Sequence, residues 1–335
     1  MGKIRGGPKS VVAIKINGPS YLGHRHWFMI AFLLLVLIVV PTGPAFCVNI
    51  VHIRFLYKIS ADFKEPSDVA VSKRSGHIYV VDGVNHKIKI FKPKGEALSN
   101  FGEEGDDNGQ FRYPLGIDVG HSGKIYIADS GNHRVQIFSP NAVFSAKIDL
   151  PELNGRPADP TDVAVDTPRK RLYVVDNDNH RFLIYDLSTL RLIKSVGKPG
   201  DGELMFRHPF LIALNKKQFL HIVDVINTRV QVITPDGQFV RYIGGWGVEK
   251  GHFFRPKGVA IDPKDRVYVS DSYMGVVQVF ESWGKFYGVL GDAGKNEVKK
   301  FRTPTGMFID DQNLLYVVEM RAQQVSVYRI ETKGK

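Results

Sequence analysis

Three short segments place an acid, an amide, an imidazole and a cation within six residues: Asp82-Gly-Val-Asn-His-Lys87, Asp129-Ser-Gly-Asn-His-Arg134 and Asp176-Asn-Asp-Asn-His-Arg181. Histidine beside aspartate is the raw material of zinc sites and of general acid–base catalysis. Zinc, however, needs three or four ligands converging at about 2 Å. The other histidines of residues 53–330, His77, His121, His208, His221 and His252, fall at unrelated points and describe no ring of ligands. Recurrence itself favours a structural role, because a stack of similar turns needs similar residues. The expectation is that each aspartate accepts backbone N–H groups from the turn that follows it, an Asx-type arrangement. The cation five residues on would pair with it or with neighbouring carbonyls. Asp82, His86, Asp129, His133, Arg134, Asp176, His180 and Arg181, with Asp224 and Asp271 in reduced copies, are therefore read as turn scaffold. Neither a metal nor a cofactor is expected, and no catalytic residue is assigned.

Two other patterns invite chemistry and are read as turns. Gly102-Glu-Glu-Gly105 and Gly244-Gly-Trp-Gly247 lack the Gly-Lys-Ser/Thr and helix start of a phosphate cradle. The acids of Glu103–Asp107 do not alternate as a calcium loop requires.

The elements that must position these residues follow from two rulers. Prolines recur at 66, 114, 160, 209, 256 and 304, and acids ending a short apolar strand recur at 82, 129, 176, 224, 271 and 319. Both rulers give a period of 46–49 residues, which is the signature of a repeat architecture. Each unit holds short runs with period-two alternation bounded by turn residues, the pattern of strands. The second unit, for example, supplies strands near 114–119, 124–129, 134–138 and 143–150. Four such strands make one antiparallel sheet, and six sheets arranged radially make an all-β, six-bladed β-propeller. The sixth unit has only three strands, at 305–309, 314–318 and 324–330, while an orphan strand, Ile53-Arg-Phe-Leu-Tyr-Lys-Ile59, precedes the first. The N-terminal strand is expected to complete the last blade and close the ring.

These repeats resemble the NHL repeat family, in an exported or membrane-anchored bacterial form. The resemblance rests on the three segments quoted above and on Pro-x-Gly openings at 114–116, 256–258 and 304–306, and it spans residues 53–330. The fourth repeat keeps only Asp224, Asn227 and Arg229, the fifth keeps Asp271, and the sixth has Glu319 instead. The resemblance implies interaction surfaces, although a propeller hosts many functions. Peptide-amidating lyases share this architecture and hold a metal with axial histidines. A metal-dependent lyase or lactone hydrolase acting in the central channel is therefore one alternative, and an RNA-binding propeller a second.

The preferred expectation is a non-enzymatic binding or scaffold module. The pre-proline residues and the post-acid turns should share one face, placing Arg112, Tyr113, Arg207, His208, Arg255, Lys257 and Arg302 around a channel mouth. Tyr273 and Arg321 stand where the fifth and sixth repeats depart from the motif. Such a face suits a protein, a peptide or an anionic envelope polymer; nucleic acid is disfavoured by export.

Export is read from the N-terminus. Trp27–Val40 is 14 residues without a charged or polar side chain, preceded by basic residues and followed by Pro-Thr-Gly-Pro-Ala. That length fits a signal-peptide core, while the uncharged stretch 27–51 could also anchor the chain uncleaved. Both readings leave residues 1–47 as a targeting or anchoring segment and 53–330 outside the cytoplasmic membrane, in a periplasmic or similar space. Five of the eleven net positive charges lie in residues 1–45, so the remainder is only mildly basic. The single cysteine, Cys47, allows no intrachain disulfide.

Overall fold

Each second strand of the repeat is mostly apolar up to its closing acid, because both of its faces are buried. In Ile125–Asp129 every residue is inaccessible to solvent. Ile125 and Ile127 pack towards the first repeat, and Tyr126 and Ala128 towards the third. Period two here decides which neighbour a side chain meets, not whether it is buried. The outer strands do face solvent, as in Ala97–Phe101.

The computed structural model describes residues 48–331 except residue 296. The targeting or anchoring segment expected at residues 1–47 lies outside the described residues. Among the described residues no helix is long and apolar enough to cross a membrane.

The chain is an all-β propeller of antiparallel four-stranded blades. Four separate sheets each follow simple sequence order, the first being Pro66–Val71, Ile78–Asp82, Lys87–Phe91 and Ala97–Phe101. The fifth and sixth repeats merge into one nine-stranded sheet. The merger is made by the N-terminal strand Ile50–Ile59. Its residues 53–59 lie antiparallel to Gln324–Ile330, the pairing expected of it. Its first residues, 50–53, also run parallel to 289–292 of the fifth repeat, a seam that the sequence did not announce.

Hydrophobic clusters sit between successive sheets, each drawing on two consecutive repeats, and one joins Val318, Val325 and Val327 of the last repeat to Phe63, Val69 and Val80 of the first. The innermost strands touch in the same cyclic order, with Pro304–Ile309 returning to Pro66–Val71. Side chains tie these unpaired inner edges together. Ser67 donates to the Leu115 carbonyl at 2.6 Å, and Thr161 to that of Phe210 at 2.7 Å. The Pro-x-Gly openings follow from this close approach. A Cβ at Gly306 would lie 2.2 Å from Asp68 Oδ1, at Gly116 2.3 Å from Asp162 Oδ1, and at Gly258 2.0 Å from the Thr305 carbonyl.

Candidate binding surface

The strand-ending acids are fully or almost fully buried. Each accepts a hydrogen bond from the backbone N–H of the segment just before the repeat's proline: Lys64, Arg112, Asp159, Arg207, Phe254 and Arg302 donate to Asp82, Asp129, Asp176, Asp224, Asp271 and Glu319 at 2.6–2.9 Å. The pre-proline segment and the post-acid turn are thereby held together on one face. The expected Asx arrangement occurs only in the fifth repeat, where Asp271 accepts from Tyr273 and Met274 N–H. In every repeat the fifth residue of the turn takes a left-handed conformation (φ 52–66° at His86, His133, His180, Thr228, Gly275 and Gln323). In the first four an Asn side chain three residues after the acid donates to the carboxylate, whereas the fifth repeat has Met274 there.

Arg134, Arg181 and Arg229 pair with the acids five residues earlier at 2.7–3.0 Å, as expected. In the first repeat the partner of Asp82 is Lys89, seven residues on, and not Lys87. The guanidinium of Arg134 also donates to the carbonyls of Asp106, Asp107 and Gln110, so it pins the incoming loop. The carbonyls of Asp106 and Asp107 belong to the acidic stretch considered for calcium, and here they serve arginine.

The turn histidines stitch neighbouring repeats. Tyr113 N–H donates to His86 Nδ1 at 3.1 Å, and His208 N–H to His180 Nδ1 at 3.2 Å. His133 Nδ1 lies 2.6 Å from the Ala158 carbonyl. Among the described residues no group of three or more His, Cys, Asp or Glu side chains is arranged to hold a metal ion.

With the scaffold charges consumed internally, the collar residues stand out. Arg112, Arg255, Arg302 and Arg321 are exposed, and among the described residues none of them has an ion-pair partner. Arg207 reaches Asp201 only at 3.8 Å. Tyr113 stands edge-on to the His86 ring, and the His208 ring meets Asn177 Oδ1 at 2.8 Å. Tyr273 is exposed and stacks on Phe254. Lys257 departs from the expected rim position: it is half-buried, with its Nζ 3.9 Å from the centre of the Phe210 ring.

Along the axis runs a cavity of about 400 Å³, lined by inner-strand residues that include Asp68, Asp118 and Asp162. Each carboxylate accepts a backbone N–H from the next repeat: Ile117, Val165 and Ile212 respectively, at 2.8–3.1 Å. Burial, against those hydrogen bonds, pushes the Asp68 carboxyl up to about 7. Burial and then the charge of Asp68 hold Asp162 well above its ordinary value, and burial also raises Asp118.

Solved structures share this fold. A streptogramin B lyase matches with a TM-score of 0.59 at 12% identity, over 83% of this chain and 98% of that one. A gluconolactonase from Xanthomonas campestris matches with a TM-score of 0.63 at 13% identity, over 88% and 99%. Among curated proteins, "Protein brain tumor" of Drosophila melanogaster is 28% identical over 134 residues, 39% of this chain and 12% of the fly protein. The chain thus matches a small part of that relative. The sequence profile of the NHL repeat matches residues 63–91, 111–138, 158–185 and 253–280. This chain is an NHL-repeat β-propeller. The match at 253–280 is informative, since that repeat has lost the Asn-His-Arg part of the turn: the strand pattern of an NHL repeat survives without it.

The axial acids of this propeller are not marked out by the repeat, because their position does not recur. The third residue of the inner strand is Asp68, Gly116, Asp162, Leu211, Gly258 and Gly306 in turn. They also give the propeller a pH dependence. A carboxyl whose folded-state value is raised binds its proton more tightly when native, so its contribution is complete below about pH 4 and is lost as pH rises towards 7. Asp68→Asn should flatten that decline. Thermal unfolding at pH 5 and pH 8 checks it: the variant should gain on the wild type at pH 8 relative to pH 5, and an equal offset at both would contradict the assignment.

Proposed function

We propose that the chain is a six-bladed propeller, closed by its N-terminal strand and displayed outside the cytoplasmic membrane, that works as a non-enzymatic binding platform. Its ligand surface is the face carrying the pre-proline segments and post-acid turns, and its partner is a protein, peptide or anionic polymer. The cyclic contact of the inner strands supports the blade count, and the apolar run 27–40 supports export.

One observation carries the binding reading. The backbone of the pre-proline segments is fixed by buried acids, while the side chains of Arg112, Arg255 and Arg302 project without a counterion. Cations held on a rigid frame and left uncompensated suit an anionic surface. Charge reversal at Arg112, Arg207 and Arg302 together is expected to strip partners from the full-length chain in a salt-sensitive pull-down. The fold should be unaffected, since their backbone groups serve it rather than their charged side chains. An unchanged partner set would remove the collar from the site.

The axial acids favour a second reading, a lyase or lactone hydrolase acting within the channel. Asp118→Asn in the full-length chain would then abolish a metal or substrate affinity that collar reversal leaves untouched.

A further inference from the structure

The loop before the fifth repeat carries the observation that goes furthest. Trp246 is 77% exposed, and Val248 and Tyr273 69% each. Trp246, Val248, His252 and Phe254 line a pocket of about 290 Å³ together with Gly247 and Glu249. The Phe254 ring extends the patch by stacking on Tyr273 at 4.3 Å. A contiguous apolar patch of this kind on a polar rim marks an interaction site.

The fold does not require those side chains, and the chain contains its own control. The loop before the second repeat folds in the same way: Phe111 N–H donates to the Glu103 carbonyl and Gly105 N–H to that of Phe111, just as Phe253 donates to Gly245 and Gly247 to Phe253. Bridges Glu104–Phe111 and Trp246–Phe253 correspond, and Phe111 and Phe253 are both fully buried. In that register Trp246 stands for Glu104, Val248 for Asp106, Phe254 for Arg112 and Tyr273 for Gly131. Acids and a cation suffice for the same loop backbone, so the loop's apolar set serves something beyond folding.

What the patch faces inward is positive. The segment Phe254-Arg255-Pro256-Lys257 leads from the pocket to the inner strand, and three residues of extended chain span about 10 Å. Arg255 has no acid partner among the described residues, and Lys257 is held over Phe210 with none either. The inner strands on either side, Pro209–Leu214 and Pro304–Ile309, contain no titratable residue; beyond their ends stand His208 and Arg302. Burial, with Arg255 beside it, pushes the Lys257 amine down to about 8.

We propose that the rim of the fifth repeat binds a linear acidic peptide, whose bulky apolar side chain enters the Trp246–Phe254 pocket and whose carboxylate, about three residues away, pairs with Arg255 and Lys257. Glu249 in the lining directs the carboxylate away from the pocket. The inference rests on the binding reading of this face, but it names a subsite that can stand or fall separately from the wider collar.

The test is selection of a random twelve-residue peptide library on the full-length chain. The comparison protein exchanges Trp246→Glu, Val248→Asp and Phe254→Arg, residues that the sister loop already folds with. Enriched peptides should pair an aromatic or large aliphatic residue with an acid about three positions off, and should bind the exchanged chain at least tenfold more weakly. Their affinity should fall with rising pH above about 8, because binding stabilises the charged amine, and Lys257→Arg should remove that dependence while binding persists. Retention of the same peptides by the collar-reversed variant supports the subsite even if the collar reading fails. Peptides that bind the exchanged chain equally well overturn the proposal. So does a single-stranded oligonucleotide whose binding the exchange abolishes while no peptide is enriched.

Discussion

Asp129→Ala is expected to destabilise the chain by about 3–5 kcal/mol, the cost of removing one partner from a buried ion pair. Asp129 is wholly buried and receives the Arg112 N–H, the Asn132 amide, the Arg134 guanidinium and the Gln136 amide. Its loss strands Arg134, itself only 4% exposed, without a counterion. The sixth repeat supplies the comparison, since Glu319 accepts only the Arg302 N–H and neutral donors from Gln324 and Ser326. Glu319→Ala should therefore cost less, of the order of 1–3 kcal/mol for unsatisfied neutral groups. Urea denaturation of the two variants decides between them. Adding Arg134→Met to Asp129→Ala should recover part of the loss, because the stranded charge disappears. Equal losses at both acids, with no recovery, would mean that the buried cation is not what the acid serves.

That contrast explains how much of the molecule could be read from its residues. The period was legible because proline and the strand-ending acid are each demanded in every repeat, one by the start of the inner strand and one by the pre-proline N–H. The scaffold role of the acids and histidines was legible for the same reason. Their backbone partners were not, because a backbone N–H seventeen residues upstream (eighteen in the first repeat) leaves no side-chain trace, nor was the cation of the first repeat, where Lys89 does what an arginine does elsewhere. The axial carboxylates Asp68, Asp118 and Asp162 are not marked out by the repeat, since the equivalent positions hold glycine, leucine, alanine or phenylalanine. Tyr273 stood out as a departure from the motif. Trp246 and Phe254 did not, being hidden in a glycine-rich stretch whose turns are real: Gly244 and Gly247 both have positive φ. Only the alignment of one loop's hydrogen bonds with its sister's separates what those glycines do for the fold from what the aromatic side chains add.

Deleting Ile50–Ile59 is expected to destabilise the whole ring rather than fray one end. The strand is the fourth member of the last sheet, and it also runs along the edge of the fifth repeat. Its carbonyls at His52 and Ile53 accept from Glu331 and Ala293, on opposite sides of the seam. Ile53 and Ile59, both essentially inaccessible, sit in two different clusters, one between the fifth and sixth repeats and one between the sixth and the first. Removing the strand therefore opens both interfaces of the last repeat and bares the edges of 324–330 and 286–292. Hydrogen exchange should accelerate in both segments and also in 66–71, and the thermal transition should move down and broaden. Ile53→Ala is the milder version, at about 2–5 kcal/mol for a buried aliphatic truncation. Phe55→Ala, half-exposed on the same strand, should cost distinctly less. Exchange that quickens only at 324–330 would show that the strand covers an edge without closing the ring, because coupling to 66–71 runs through the interface that Ile59 holds shut.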